Sequence, residues 1–203
     1  MEEADVTIQA LNALVNILIA GAAISGVVIA AMGLSTYKHQ AQWSEERDLA
    51  RKILIKLKFR EDAFKAVRNP FGYSHENDLD GEEVAERDQR WREVGKKYER
   101  RLAKLNQARS DFYPLAIEAE VYWGKVFVDL ERELNNLEHD LGFAVDEFVE
   151  SYNPRFEFRP YFDGEEELKV RGIVFALGSR DELGPKHQQA IENLTKLLKG
   201  RLV

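Results

Sequence analysis

The feature that most constrains this chain is a long uncharged segment near the start of the sequence. Residues 6–37 carry no charged side chain, and Ile17–Leu34 is almost wholly apolar. Because a helix rises about 1.5 Å per residue, roughly 20 apolar residues cross a hydrocarbon core about 30 Å thick. A soluble core helix rarely needs so long a stretch without charge, and a signal peptide begins with basic residues, whereas residues 1–5 are acidic. We therefore predict an uncleaved transmembrane helix over residues 6–36.

Charges on either side of this segment predict its orientation. No Lys or Arg precedes it, whereas residues 38–68 carry nine Lys or Arg against five Asp or Glu. Basic residues near the end of a span stay on the cytoplasmic side, where they also face anionic lipid. The sequence therefore predicts a single-pass protein of the plasma (inner) membrane, with residues 1–5 outside the cell and residues 37–203 forming a cytosolic domain.

Composition limits what the part after the span can be. Charged residues make up 32% of the chain and aromatic residues 10%, which is typical of a folded domain rather than a disordered tail. The chain has no cysteine, which excludes disulfides and cysteine-based metal sites. Residues 69–203 carry twenty Lys or Arg against twenty-eight Asp or Glu, and this acidic balance disfavours nucleic-acid binding.

Apolar spacing predicts helices throughout this domain. The first follows the span and should end at Arg68, because Pro70 moves the preceding residue out of the α region. A second stripe predicts a helix over residues 82–113, and Pro114 is expected to start a new helix over residues 115–151. This helix carries a heptad seam whose members are spaced by 3 and 4 residues. The seam consists of Phe127, Leu130, Leu134, Leu137, Leu141, Ala144 and Phe148.

The order of these helices predicts the fold class. Short connections favour antiparallel packing within one chain, while pairing of the seam between chains stays open. Residues 164–178 fit a short helix better than a strand, and Gly184 and Pro185 open a last amphipathic helix. The predicted fold is all-α, with one N-terminal transmembrane helix followed by a cytosolic antiparallel helical bundle or coiled-coil hairpin.

Inside the span, small residues recur on one face of the helix. Rows of this kind let two helix backbones approach closely in lipid. Small residues are also common in spans generally, so the row is a candidate contact face and no more. Its members are Ala22, Gly26, Ala30 and Gly33.

A candidate structural corner follows the post-span helix. Arg68 comes directly before Asn69 and Pro70, and we expect it to bond helix-end carbonyls or a carboxylate. Glu118 and Glu120 are the nearest approach to a catalytic carboxylate pair, but positions i and i+2 point about 200° apart on a helix. Glu120 is instead predicted to form an ion pair, with Arg68 or Arg109 among the candidate partners.

The remaining motifs carry no recognised chemistry. The four histidines lack the Glu-x-x-His and His-Glu-x-x-His spacings of metal sites. The acidic loop His75–Gly81 lacks the final glutamate of a calcium loop, since Arg87 occupies that position. The sequence also has no Gly-rich phosphate loop outside the span. It therefore predicts no catalytic residue, no metal and no cofactor.

Three stretches carry a resemblance to other sequences. The first comprises Asp48–Leu54 and Val67–Phe71, the second is Glu118–Gly124, and the third joins Asp181–Leu183 to Ala190–Glu192. With these stretches the chain resembles a family of bacterial single-span membrane proteins known only as uncharacterised proteins. The resemblance implies a single span and an α-helical cytosolic domain, and it implies no activity.

These observations predict a membrane-anchored helical interaction or scaffold module that binds lipid through its span and another protein, or itself, through its helices. One alternative is an enzyme whose site is built from Glu and Arg residues in the bundle core, which requires buried carboxylates with perturbed pKa values. Another is a membrane-stalk subunit, which requires a helix that continues through residue 81. The breaker residues Asn69 to Gly72 disfavour that continuation.

Overall fold

The computed structural model describes residues 2–155, 164–176 and 181–202, and every regular element in these ranges is helical. The prediction of an all-α chain is confirmed at this level. The chain divides into two compact units, Met1–Glu46 and Arg47–Val203. The helices are α1 (Glu2–Val67), a short 3₁₀ turn (Ser74–Glu76), α2 (Glu86–Glu150), α3 (Gly164–Phe175) and α4 (Leu183–Lys199).

The first unit consists of the leading part of α1. Among the described residues, one helical stretch, Gly21–Val67, is long and apolar enough by length and composition to cross a membrane. None of its most apolar window is buried by the rest of the chain. Large apolar side chains such as Val27, Ile29 and Met32 are exposed along it.

Helix α2 is interrupted at Gly124, which corrects the expected break at Pro114. Gly124 has φ 59° and ψ −147°, whereas Pro114 lies inside a helical run. The proline is tolerated because Ser110, whose carbonyl loses its helical partner, is exposed to solvent. The interruption divides α2 into a first segment, residues 86–123, and a second segment, residues 125–150.

The two segments of α2 contact each other with opposite chain direction. Asp88 contacts Arg155, Tyr98 packs edge-on against Phe148, and Arg109 lies 3.1 Å from His139. Partners come closer in sequence as they approach Gly124. The glycine therefore forms the apex of a hairpin. The space around the apex is open, because no atom lies within 4 Å of where a Cβ of this residue would be.

Replacing Gly124 by Ala should lower the free energy of unfolding by about 1–3 kcal/mol, because a backbone at positive φ with ψ near 180° is almost exclusive to glycine. Urea unfolding of the full chain in detergent, followed by tryptophan fluorescence, measures the change. Gly142→Ala is the matched control, since Gly142 lies in the same helix and has equally open surroundings. Equal stability of the two variants would contradict the strained turn.

The core of the second unit forms two clusters. One contains Leu49, Ile53, Trp123 and Leu198, and it brings together the start of this unit, the hairpin apex and the end of α4. The other joins the end of α1 to the opposite ends of the α2 segments, to α3 and to the start of α4. All seven residues of the predicted seam are buried or half-buried within these clusters by residues of the same chain.

Residues 164–175 are helical, which agrees with the preferred prediction for this stretch. Val174 is fully buried, while Leu177, which was placed on the same stripe, lies outside the described residues. The last helix, α4, begins at Leu183, close to the predicted Gly184-Pro185 start. α3 and α4 both contact α2.

Candidate functional site

The most concentrated polar group in the second unit surrounds Glu138. Its carboxylate is fully buried and accepts two hydrogen bonds from Arg60, from Nε at 3.1 Å and from a terminal nitrogen at 2.7 Å. The same guanidinium donates to Asn135 at 2.8 Å and lies 4.7 Å from the centre of the Phe112 ring. Arg109 approaches the carboxylate to 3.4 Å. This cluster therefore connects α1 to both segments of α2.

His187 adds a fourth polar side chain to this cluster, from α4. Its ring stacks on Phe64 with centroids 3.5 Å apart, and Nε2 lies 3.8 Å from Glu138 Oε1. That separation exceeds hydrogen-bond length, and the buried Nε2 has no hydrogen-bond partner among the described residues. The histidine is thus held by aromatic packing rather than by a hydrogen bond.

Electrostatics keep Glu138 ionised. Burial alone would raise its pKa, but the nearby His187 and the charge and hydrogen bonds of Arg60 outweigh burial and lower the pKa. Of these partners we give Arg60 the greater weight, because its two contacts are within hydrogen-bond length. A carboxylate that stays ionised and accepts bonds from arginine is poorly suited to donate or accept a proton in catalysis.

A second buried ion pair holds the chain after α1. Arg101 is bidentate on Glu76, at 3.1 and 2.7 Å, and donates to the carbonyl oxygens of Asn69 at 2.5 Å and Phe71 at 2.6 Å. Lys97 contacts the carbonyl of Pro70 at 3.3 Å. The hydrogen bond from Arg101 lowers the pKa of Glu76 to about 2 despite burial. Two basic residues of α2 therefore fix the Asn69–Glu76 loop.

The predicted corner residue Arg68 lies at a third ion pair. Its Nε donates to the carbonyl of Ile173 at 2.7 Å, at the end of α3, and a terminal nitrogen lies 2.5 Å from Asp181. Asp181 also accepts a hydrogen bond from the backbone of Gly184 at 2.8 Å, in the first turn of α4. Asn69 and Pro70 instead present their carbonyls to α2, so the three corner residues contact different partners.

Replacing Gly184 by Ala should lower the free energy of unfolding by about 1–2 kcal/mol, because a Cβ there would collide with the Arg68 guanidinium and the Asp181 carboxylate. A double-mutant cycle with Arg68→Met tests the cause. If the methyl group acts through this ion pair, it should cost much less when Arg68 is already absent. Additive effects in urea unfolding would argue against the clash.

The other predicted positions are exposed. Glu120 lies on the surface, and its two candidate partners contact other acids, Arg68 with Asp181 and Arg109 with Glu138. The row of Ala22, Gly26, Ala30 and Gly33, in the leading part of α1, is exposed. Its role as a contact face stays a prediction.

Most of the buried charged residues were missed from the sequence, although for some of them the spacing contains a signal. Four of them occupy a position within an apolar stripe, where a charge is expected to need a partner. Arg60 lies three residues after Leu57 and four before Phe64, and Glu138 lies four after Leu134 and three before Leu141. Arg101 and His187 interrupt their stripes in the same way. A basic residue that interrupts one stripe and an acidic residue that interrupts another predict a buried ion pair. The spacing does not show which two residues pair.

Openings at the described surface of the second unit are lined mainly by exposed or half-buried side chains. One of them has a volume of about 520 Å³ and is lined by Arg109, Tyr113, Glu131 and Asn135 among others. Among the described residues, no group of histidine and acidic side chains is arranged to hold a metal ion.

Comparison with known proteins adds no relative: no protein-family model, no curated protein and no solved structure matches the chain. The resemblance to bacterial single-span proteins stays a prediction. Function has to be argued from the described geometry.

Proposed function

We propose that this protein is a single-span membrane-anchored helical module whose second unit serves as a cytoplasmic interaction scaffold. The observation that carries the proposal is the exposed apolar window of α1, none of which is buried by the chain. A core helix of a soluble protein would bury such a surface, so water is an unfavourable environment for it. A lipid bilayer is the environment that suits both its length and its lack of charge.

The second unit is proposed to be an antiparallel helical bundle. Residues 47–67 of α1 contact both segments of α2 through Arg60, and α4 contributes His187 to the same cluster. The fixed Asn69–Glu76 loop follows the end of α1, and the apex at Gly124 joins the two segments of α2. A bundle braced by buried ion pairs offers a rigid surface, which favours binding over a mechanism that needs moving parts.

The two alternatives have less support. An enzyme built on Glu and Arg residues needs an accessible carboxylate, but Glu138 is fully buried and its pKa is lowered rather than raised. A continuous membrane stalk needs a helix through residue 81, and α1 ends at Val67. The scaffold proposal requires neither feature.

Extraction of membranes at alkaline pH tests the anchor. The full chain should stay in the membrane fraction, while a variant with Val27→Asp and Ile29→Asp should be released, because each central charge costs about 2.5–3.5 kcal/mol in a bilayer. Phe143→Asp with Leu168→Asp is the matched control, since these apolar residues are exposed in the second unit. Release of the unaltered chain would overturn the proposal.

Orientation is tested by labelling single cysteines, which the cysteine-free chain allows without background. A membrane-impermeant maleimide should label Glu3→Cys in intact cells and Phe143→Cys only after permeabilisation. The opposite pattern would place the scaffold outside the cytoplasm.

A further inference from the structure

The hairpin apex of α2 exposes apolar side chains that the second unit leaves uncovered. Val121 is 80% exposed, Val126 is 61% exposed and Ile117 is 49% exposed. Ile117 and Val121 are four residues apart and so share one face of the first α2 segment. Single exposed apolar residues are ordinary, but Val126 follows directly after the turn at Gly124, so we treat the three exposed apolar residues that flank this turn as one patch. Glu118 and Glu120, both exposed, border this patch, which we call the apex patch.

A complementary surface lies at the same end of the second unit, on α1. Leu49 and Ile53 pack in one cluster with Ala119 and Trp123, so the start of this unit and the apex are neighbours within its core. The outer face of this part of α1 exposes Ile55 and Phe59, at 52% and 56%. Arg51 and Lys52 are also exposed there. We call these four residues the basic face.

The net charges of the two surfaces are opposite. Residues 47–59 carry five basic side chains and one acidic side chain, a net charge of +4. Residues 111–133 carry six acidic and two basic side chains, a net charge of −4. Within the chain the two segments share one ion pair on their common side, Lys56 with Asp111 at 2.8 Å. The exposed charges Arg51, Lys52, Glu118 and Glu120 have no such partner among the described residues.

We propose that the apex patch of one copy docks on the basic face of a second copy in the same membrane. This inference rests on the proposed function, because only copies anchored in one membrane with the same orientation are concentrated at the same membrane face. Apolar side chains then meet apolar side chains, and Glu118 and Glu120 meet Arg51 and Lys52. Confinement to one membrane raises the effective concentration, so a modest contact area suffices.

A lipid surface is the competing occupant of the apex patch. The cytoplasmic leaflet is anionic and attracts basic side chains near its surface. Glu118 and Glu120 would therefore be repelled by the leaflet, whereas the basic face of another copy attracts them. Charge complementarity therefore favours a second copy of the chain over the lipid surface as the occupant of the apex patch.

Cross-linking of single cysteines in native membranes tests the contact. Val121→Cys and Ile55→Cys are placed in two differently tagged copies of the full chain and co-expressed, so that any product joins two molecules. A short bifunctional maleimide should link them. Phe143→Cys paired with Ile55→Cys is the matched control, because Phe143 is 68% exposed but lies on the second α2 segment away from the apex.

Charge reversal tests the specificity of the contact. Glu118→Lys with Glu120→Lys should lower the cross-link yield about tenfold, since repulsion replaces two ion pairs. Arg51→Glu with Lys52→Glu in the partner copy should restore it. Asp146→Lys with Glu147→Lys, which makes the same charge change at exposed positions near the opposite end of α2, should leave the yield unchanged.

The outcomes separate this inference from the anchor. Membrane-resident protein without cross-links above the Phe143 control overturns the docking and leaves the anchor standing. Cross-links that charge reversal does not change also overturn it, as does quenching of a fluorophore at Val121 by labelled lipid without any cross-link. Release of the protein at alkaline pH overturns the proposed function itself.

Discussion

Replacing Glu138 by Gln should lower the free energy of unfolding by about 3–5 kcal/mol, the largest effect expected for a single substitution in this chain. The amide keeps the shape of the side chain but removes the hydrogen-bonded counter-charge of the fully buried Arg60 guanidinium, and Glu131, at 3.7 Å, is too distant to replace it with a hydrogen bond. Arg60 cannot respond by losing its proton, because arginine stays charged in proteins. Urea unfolding of the full chain in detergent measures the loss.

Two further variants identify its cause. Arg60→Met combined with Glu138→Leu removes both charges and should recover most of the stability, because apolar side chains of similar volume can replace a buried ion pair. Asp111→Asn removes one partner of the half-exposed pair with Lys56 and should have a far smaller effect, because solvent screens that pair. A double variant as unstable as Glu138→Gln would show that the charges are not what the single variant loses.

Replacing Arg101 by Met should cost about 3–4 kcal/mol, because it leaves the carboxylate of Glu76 and two loop carbonyls without their donor. The neighbouring arginine provides a matched control. Arg100 also contacts a carboxylate, both oxygens of Asp80 at 2.8 Å, but that pair is exposed to solvent. Arg100→Met should therefore cost less than about 1 kcal/mol, and equal losses would contradict the importance of burial.

Acid sensitivity gives the Arg101 variant a second signature. The pKa of Glu76 is lowered from its ordinary value of 4.5 to about 2 in the folded chain. Its ionised form therefore stabilises the fold at pH values above 4.5, and this contribution, on the order of 3 kcal/mol, is lost as the pH falls from 4.5 to 2. Arg101→Met should flatten the stability curve over this window, whereas Arg100→Met should leave its slope unchanged.

Local sequence patterns predicted the positions of the helices better than the points where the helices end or change direction. The helical stripes were clear, and Pro70 correctly marked the end of α1 near Val67. The predicted break at Pro114 was wrong because the energetic cost of a proline inside a helix depends on whether the carbonyl of Ser110, which loses its helical partner, reaches water. The sequence alone does not show this. Gly124 escaped notice because a glycine between Trp123 and Lys125 is compatible with a helix, and only tertiary packing gives it a positive φ.

The buried ion pairs show a different limit. The partners Arg60 and Glu138 are 78 residues apart, and Arg68 and Asp181 are 113 apart. Spacing marks Arg60 and Glu138 as charges on buried faces, but pairing them requires the register between helices. Glu120 illustrates the error, since the sequence offered it two arginines that the fold gives to other carboxylates.

The position of Glu138 also has a consequence for how the second unit comes apart. Its carboxylate lies among side chains from α1, both α2 segments and α4, and its ion pair with Arg60 means that α1 and the second α2 segment cannot separate without leaving buried charges unpaired. Partial opening is therefore nearly as costly as complete unfolding, and the amides of these helices should exchange with solvent deuterium together. If force were applied along α1, the second unit should therefore unfold in one cooperative step rather than helix by helix.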